Sequence, residues 1–147
     1  MEIESIGALL KKKNHEICSV APEATVYDAL ALMAAKDLAA VLVISEGTLA
    51  GIVSARDYGR KVILAGKTAS DVRVREIMTT SLITITPKAT ILDAMSLMDH
   101  HHFRHLPVLN EGKLEGVVTM SDLMSELLSG QAFTIDQLHT YIGQPPI

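Results

Sequence analysis

Two short segments place a carboxylate three residues after a hydroxyl side chain, and this pairing could do binding chemistry. They are Ser54-Ala-Arg-Asp57 and Thr119-Met-Ser-Asp122. An ionised carboxylate only accepts hydrogen bonds, so it can take two neighbouring sugar hydroxyls, and Ser or Thr adds a donor and an acceptor. The same spacing also forms a capping box at the start of a helix. Spacing alone leaves both interpretations open.

A run of histidines, His100, His101 and His102, with His105 nearby, could bind a metal ion. If the run were helical, His101 and His105 would share a face at a spacing of four residues. The only neighbouring carboxylate is Asp99, and the run straddles an expected helix end. We therefore expect a solvated helix terminus and no metal site.

The chain shows no nucleophile elbow, Walker loop or GxGxxG segment, so a dinucleotide ligand would not be held by a Rossmann unit. The net charge of −4 and the 3% aromatic content disfavour nucleic-acid binding. Apolar runs fall far short of the roughly 18 residues that span a bilayer, so we expect no membrane partner. Cys18 is the single cysteine, so no disulfide can form within the chain, and this fits a reducing, cytoplasmic location. We expect Cys18 to be a small buried residue.

An internal repeat organises the 147 residues. A shift of 65 residues aligns 22–57 with 87–122 without a gap, and 14 of the 36 aligned pairs are identical. Ordinary composition would give roughly two or three identities by chance. Each copy is too short to bury much apolar surface alone, so we expect the two to pack together as one body.

Each copy predicts the same order of strand, helix, strand, strand and helix. The first strands are placed at 18–20 and 82–85, and capping boxes at Thr25 and Thr90 then open a helix. Two strands follow, at 39–44 and 49–53 and at 105–109 and 114–118, with Glu46-Gly47 and Glu111-Gly112 as tight turns. The last helices begin at Ser54 and Thr119.

Two further helices are predicted outside the repeat. Ile6, Leu9 and Leu10 lie on one face of an N-terminal helix that ends in three lysines, and Thr134 opens another helix that ends before Pro145. Both could pack on their own chain or form a contact between subunits.

The repeated ending, Gly51-Ile-Val-Ser-Ala-Arg-Asp57 and Gly116-Val-Val-Thr-Met-Ser-Asp122, resembles that of cystathionine β-synthase (CBS) domains. Arg104-His-Leu-Pro-Val108 is similar to the phosphate-side segment of such modules. The chain thus looks like a tandem CBS pair, or Bateman module, of the small stand-alone bacterial signal-transduction type. The resemblance implies an α+β fold with pseudo-symmetric packing, with CBS domains at 8–65 and 74–129 and a C-terminal helix and tail at 130–147.

The resemblance also implies regulatory binding of an adenosine-containing ligand in a cleft between the two domains, and it implies neither enzyme activity nor a catalytic cofactor. The candidates are AMP, ADP, ATP, S-adenosylmethionine and NAD(P)(H). The Thr119 and Asp122 site would be completed by apolar and backbone groups at Ile17, Cys18, Leu38, Ala39 and Val117. The Ser54 and Asp57 site would use the matching positions Leu82, Ile83, Phe103 and Ile52.

The resemblance further implies that phosphates converge on Arg104 and His105, and arginine offers a fork of donors that matches phosphate oxygens. His105 could tune phosphate affinity with pH. The repeat aligns these two residues with Ala39 and Ala40, so the two sites are not expected to be equivalent. Three further cations could bind a second or longer polyphosphate: Arg56, Arg60 and Lys61. They could instead be solvated surface residues in salt bridges.

Three functions remain open from the sequence. The first is a ligand-sensing regulator, which the resemblance implies to be a homodimer and which needs a separate protein partner or subunit as effector. The second is a ligand-independent dimeric adaptor. The third is a metal-dependent hydrolase that uses the histidine run, which would show as bound metal and loss of turnover on His101→Ala.

Overall fold

A computed structural model describes residues 4–13 and 16–129, and the chain divides into two compact units. The first unit is Ile17–Leu82, and the second unit combines Met1–Glu16 with Ile83–Ile147. Both contain helices and strands, which confirms the α+β class. Within the described residues, no helix has the length and apolar character needed to cross a membrane.

The elements follow the predicted order in both copies of the repeat. In chain order they are α1 (Ile6–Lys12), β1 (Ser19–Val20), α2 (Val26–Lys36), β2 (Ala40–Ser45), β3 (Thr48–Ser54), α3 (Ala55–Tyr58), α4 (Val74–Ile77), α5 (Ile91–His101), β4 (His105–Asn110), β5 (Lys113–Thr119) and α6 (Met120–Ser129). A π-helical turn at Gly59–Ile63 extends α3, and a 3₁₀ turn at Ala69–Asp71 precedes α4.

A strand hairpin carries the start of the last helix in each unit. Strands β2 and β3 pair antiparallel, as do β4 and β5. Each pair is joined by a two-residue turn with positive φ at both positions, 51° and 77° at Glu46-Gly47 and 51° and 78° at Glu111-Gly112. These angles are those of a type I′ turn, whose twist matches that of the paired strands. The predicted tight turns are confirmed.

The predicted capping boxes at the starts of α2 and α5 are also confirmed. The hydroxyls of Thr25 and Thr90 each accept a hydrogen bond from the backbone N–H of the aspartate three residues on, at 3.1 Å. The carboxylates of Asp28 and Asp93 accept in return from the threonine N–H groups, at 3.3 and 2.9 Å. Each box thus satisfies two donors that a helix start leaves without an intrahelical partner.

The first strand differs between the units. In the first unit β1 runs parallel to β2, and the N–H of Leu42 donates to the carbonyl of Cys18 at 3.1 Å. The repeat places Pro107 at the position of Leu42, and proline has no N–H to donate. The strand predicted at 82–85 is therefore reduced to an isolated bridge between Ile85 and Val108, and the prediction of a full strand there is wrong.

Each unit also contains a helix that precedes the other copy of the repeat in the sequence. Ile6, Leu9 and Leu10 of α1 are buried in the core of the second unit. Val74 and Ile77 of α4 are buried in the core of the first unit. Helix α1 thus packs on its own chain, the first of its two predicted alternatives. The helix predicted from Thr134 and the tail at 130–147 lie outside the described residues.

Candidate functional site

In the first unit, Ser54 and Asp57 form the start of α3. The Asp57 carboxylate accepts from the N–H and the hydroxyl of Ser54, at 2.9 and 3.0 Å, while Ser54 Oγ accepts from the N–H of Asp57 at 3.1 Å. Lys61 Nζ lies 3.2 Å from Asp57 Oδ1 and donates to the carbonyl of Ile77 at 2.7 Å. The carboxylate is half-buried, with 15% of its side chain exposed.

In the second unit, Thr119 and Asp122 make the matching arrangement at the start of α6. Asp122 Oδ2 accepts from the N–H of Thr119 at 2.9 Å, and Thr119 Oγ1 accepts from the N–H of Asp122 at 3.1 Å. Here the cation is Lys13, which comes from the end of α1. Its Nζ lies 2.6 Å from Asp122 Oδ2 and 2.7 Å from the carbonyl oxygen of Val117.

Both motif carboxylates therefore act as helix caps, and both are also paired with a lysine. The comparable boxes at Asp28 and Asp93 are exposed, and neither aspartate has an ion pair in the described part of the chain. This contrast separates the two kinds of box that spacing could not distinguish. A half-buried carboxylate beside a hydroxyl and an ammonium group can bind vicinal hydroxyls and attract an anion.

Arg104 and His105 lie at the same end of the second unit. His105 opposes Thr119 in the β4–β5 ladder, and the carbonyl of Arg104 accepts from the N–H of Met120 at 3.1 Å. Burial lowers the pKa of His105 below its ordinary 6.5, and the charges of Lys13 and Arg104 act in the same direction against the opposing effect of Asp122. The predicted phosphate residues and the Thr119–Asp122 box are thus brought together.

The apolar residues predicted for the sites are partly accessible. Ile17 and Leu38 expose 39% and 40% of their surface, and Cys18 is half-buried, more accessible than expected. Ala39 lies beside the Ser54 box, because its carbonyl accepts from the N–H of Ala55 at 3.0 Å. Four further predicted residues are half-buried: Ile52, Leu82, Ile83 and Phe103. Each predicted site mixes residues of the two units, and those groupings stay predictions.

The other predicted phosphate cations differ in their surroundings. Arg56 and Arg60 are exposed on the turns that follow Ser54. Lys61 holds Asp57 and the Ile77 carbonyl, so only a rearrangement would free it for a second phosphate.

The histidine run ends a helix, as expected. Helix α5 stops at His101, and His102 is its C-cap with a φ of 59°, the position that Asp37 occupies at the end of α2 with a φ of 55°. The idea of a shared helix face for His101 and His105 is wrong, because His105 begins a strand. The described residues contain no group of three potential metal ligands.

Lys13 is the site residue that the sequence analysis missed. It lies 109 residues from Asp122 in sequence, and the three-lysine run that contains it is explained by the end of a helix. The repeat gives no hint, because Met78 occupies the corresponding position. Only the packing of α1 in the second unit brings Lys13 to the box.

Comparisons with known proteins agree with this architecture. The CBS domain family model matches residues 10–61 and 74–129. A CBS-domain protein from Burkholderia ambifaria, described in connection with signal transduction, has a structure that superimposes with a TM-score of 0.84 at 40% identity, over 89% of this chain and 98% of that one.

Two sequence relatives point the same way. The mitochondrial CBS domain-containing protein CBSX3 of Arabidopsis thaliana is 36% identical over 80% of this chain, which spans 60% of that protein. The CBS domain-containing protein YhcV of Bacillus subtilis is 31% identical over 81% of this chain and 87% of its own length. Tandem pairs of this kind are typical of regulatory and signal-transduction proteins. The chain belongs to the CBS domain family and carries two copies of the domain.

Proposed function

We propose that the chain is a regulatory protein that binds an adenosine-containing ligand, with AMP, ADP, ATP and NAD(P)(H) as the candidates. The observation that carries the proposal is the repeated half-buried carboxylate three residues after a hydroxyl side chain, at Asp57 and Asp122, in contrast to the exposed carboxylates of Asp28 and Asp93. Ribose supplies the two hydroxyls that such a carboxylate accepts, and Arg104 with His105 supplies a place for phosphate. The role is regulation and not catalysis.

Aliphatic side chains would hold the adenine. The chain has few aromatic rings, so stacking platforms are scarce, whereas Ile17 and Leu38 present exposed apolar surface. Burying these side chains against an adenine would be favourable at about 25 cal/mol for each Å² removed from water.

Calorimetric titration tests the proposal. Wild-type protein is titrated with AMP, ATP, NAD(H), NADP(H) and S-adenosylmethionine, alongside Asp57→Ala and Asp122→Ala. Asp28→Ala and Asp93→Ala are the matched controls, because they remove the same kind of helix cap without a lysine pair. We expect binding that only the first two variants weaken. Absence of binding to all these ligands would overturn the proposal.

A ligand-independent dimeric adaptor is the second candidate. Three large apolar side chains of the first unit favour it, because Tyr27, Ile63 and Leu64 expose 61%, 53% and 82% of their surface. It predicts a self-association and a melting temperature that do not respond to any of the ligands. Analytical ultracentrifugation with and without ATP separates it from the first proposal.

A further inference from the structure

The Thr119–Asp122 box is already occupied by a side chain of the protein itself. Lys13 Nζ contacts the carboxylate of Asp122, which is proposed to accept the ribose hydroxyls, and the backbone carbonyl of Val117, at 2.6 and 2.7 Å. Lys13 and Asp122 keep 31% and 24% of their side chains exposed, so both can be reached from solvent.

The hydrogen-bonding capacity of Asp122 shows what binding would require. A carboxylate oxygen has two lone-pair positions, and Oδ2 uses both, for the N–H of Thr119 and for Lys13. A ribose that engages both carboxylate oxygens must therefore displace one donor. The backbone N–H of Thr119 is fixed by the β5–α6 junction, whereas Lys13 is a flexible side chain, so Lys13 is the donor that leaves.

In the first unit the lysine holds a different carbonyl, that of Ile77. The carbonyl of Ile52, the counterpart of Val117, accepts from the backbone N–H of Thr79 at 2.8 Å. The cation at Asp57 is Lys61, which lies four residues along the same stretch of chain. Releasing Lys61 would free the carbonyl of Ile77 at the end of α4 but leave the backbone pairing of Ile52 with Thr79 in place. Releasing Lys13 would take the lysine donor from the Val117 carbonyl and remove a contact between α1 and the β5–α6 junction.

We propose that Lys13 is an internal competitor for the ligand at the Thr119–Asp122 box, and that a ribose displaces it and loosens the end of α1. The inference rests on the proposed function and adds its regulation. Lys13 is the C-cap of α1, and its N–H donates to the carbonyl of Leu9 at 3.2 Å. Displacement of the Lys13 side chain from the box would therefore weaken the last turn of that helix.

The test compares Lys13→Met with Lys12→Met. Lys12 is the matched control, because it lies on the same helix end and pairs with Glu4 and Glu126 but not with Asp122. Adenosine is the probe, because it has no phosphate whose attraction to a lysine would obscure the competition. We expect adenosine affinity to rise about threefold to tenfold in Lys13→Met and to stay unchanged in Lys12→Met. Unchanged or weaker binding by Lys13→Met would overturn the competition.

A ligand-free measurement separates this inference from the proposed function. In the Asp122→Asn protein, hydrogen exchange of the Lys13 amide should accelerate severalfold, whereas Asp93→Asn should leave it unchanged. If no variant binds adenosine or any nucleotide, both the proposed function and the competition are overturned. The exchange result still decides whether the ion pair between Lys13 and Asp122 stabilises the end of α1. Equal exchange in Asp122→Asn and wild type would overturn the link to the helix.

Discussion

At the scale of single residues, one carboxylate in each unit makes two kinds of interaction, a helix cap and an ion pair with a lysine. Asp57 and Asp122 cap a helix and also hold a lysine, so removing either side chain has a structural cost that any binding experiment must account for. Asp28 and Asp93 cap helices in the same way without a lysine ion pair. They are the reference against which the contribution of the ion pair to stability can be measured.

The stability of two asparagine variants of the second unit measures that difference. We expect Asp122→Asn to lower the free energy of unfolding by about 1–2 kcal/mol, because it weakens the cap and removes the charge that Lys13 contacts. Asp93→Asn should lower it by about 0.5–1 kcal/mol, because only the cap is affected. Urea denaturation of both variants provides the values, and equal losses would show that the Lys13 pair contributes nothing.

The pKa of His105 makes stability depend on pH. Burial and the charges of Lys13 and Arg104 lower this pKa below 6.5 in the folded protein, while Asp122 opposes them. As the pH falls below 6.5, the unfolded chain binds a proton that the folded protein does not, so the free energy of unfolding decreases. The decrease ends once the pH falls below the lowered pKa.

We expect His105→Gln to lose less stability than wild type between pH 7.5 and pH 5. The exposed His100→Gln is the control for the loss of a histidine as such. Urea titrations at half-unit pH steps measure the difference. Parallel pH profiles for wild type and His105→Gln would contradict the environment described for His105.

The helix caps could be predicted from the sequence, whereas the ion pairs beside them could not. A hydroxyl residue three positions before an aspartate encodes a helix cap directly, and the structure has that cap at both motif sites. Whether the carboxylate is also half-buried beside a cation depends on packing between residues far apart in sequence. Lys13 is the example, since only the position of α1 brings it to Asp122.

At the scale of elements, the glycine of the repeated motif has a packing role that the sequence did not reveal. A Cβ at Gly51 would lie 2.7 Å from the backbone oxygen of Thr79, which pairs with Ile52 next in the strand. The matching Cβ at Gly116 would lie 3.2 Å from a methyl group of Leu10. A backbone atom cannot move as easily as the end of a leucine side chain.

Alanine substitutions at these two glycines should therefore have unequal effects. We expect Gly51→Ala to lower the free energy of unfolding by about 2–3 kcal/mol, because the Thr79 segment must shift. Gly116→Ala should cost about 1 kcal/mol or less, because Leu10 can adopt another rotamer. Chemical denaturation of the pair is the measurement. A larger loss for Gly116→Ala would mean that the two strands are not packed as described.

Element order was predictable because helix and strand periodicity, capping boxes and two-residue turns are encoded locally. The missing strand at 82–85 was harder to predict, because its loss depends on Pro107, which lies in the partner strand. The repeat itself contained the clue, since Pro107 aligns with a leucine whose N–H holds β1 in the first unit.

At the scale of the whole chain, the compact units and the sequence repeats do not have the same boundaries. The units change at Ile17 and Ile83, whereas the family model begins its matches at residues 10 and 74. The difference comes from α1 and α4, which each pack in the unit of the other copy of the repeat. The repeat fixes the order of elements, and apolar burial decides to which core each helix belongs.

The assignment of α1 to the second unit makes a prediction about where a core mutation acts. Ile6 is fully buried in the core that contains Ile91 and Leu106. Ile6→Ala should lower the free energy of unfolding by about 2–4 kcal/mol, because it removes buried methyl groups and leaves a cavity. Hydrogen exchange should accelerate first in residues 83–129, although Ile6 precedes the first copy of the repeat.

Val74→Ala is the matched variant in the first unit. Val74 of α4 is also fully buried, and it lies between the two copies of the repeat but packs in the core of the first unit. Its faster exchange should appear first in residues 17–82. Peptide-resolved hydrogen exchange of the two variants, under conditions where wild type stays folded, measures both patterns. Acceleration that followed the sequence repeat instead, with Ile6→Ala acting first on 17–82, would contradict the placement of α1. Because Lys13 reaches Asp122 only through that placement, the same result would also remove the basis for competition at the Thr119–Asp122 box.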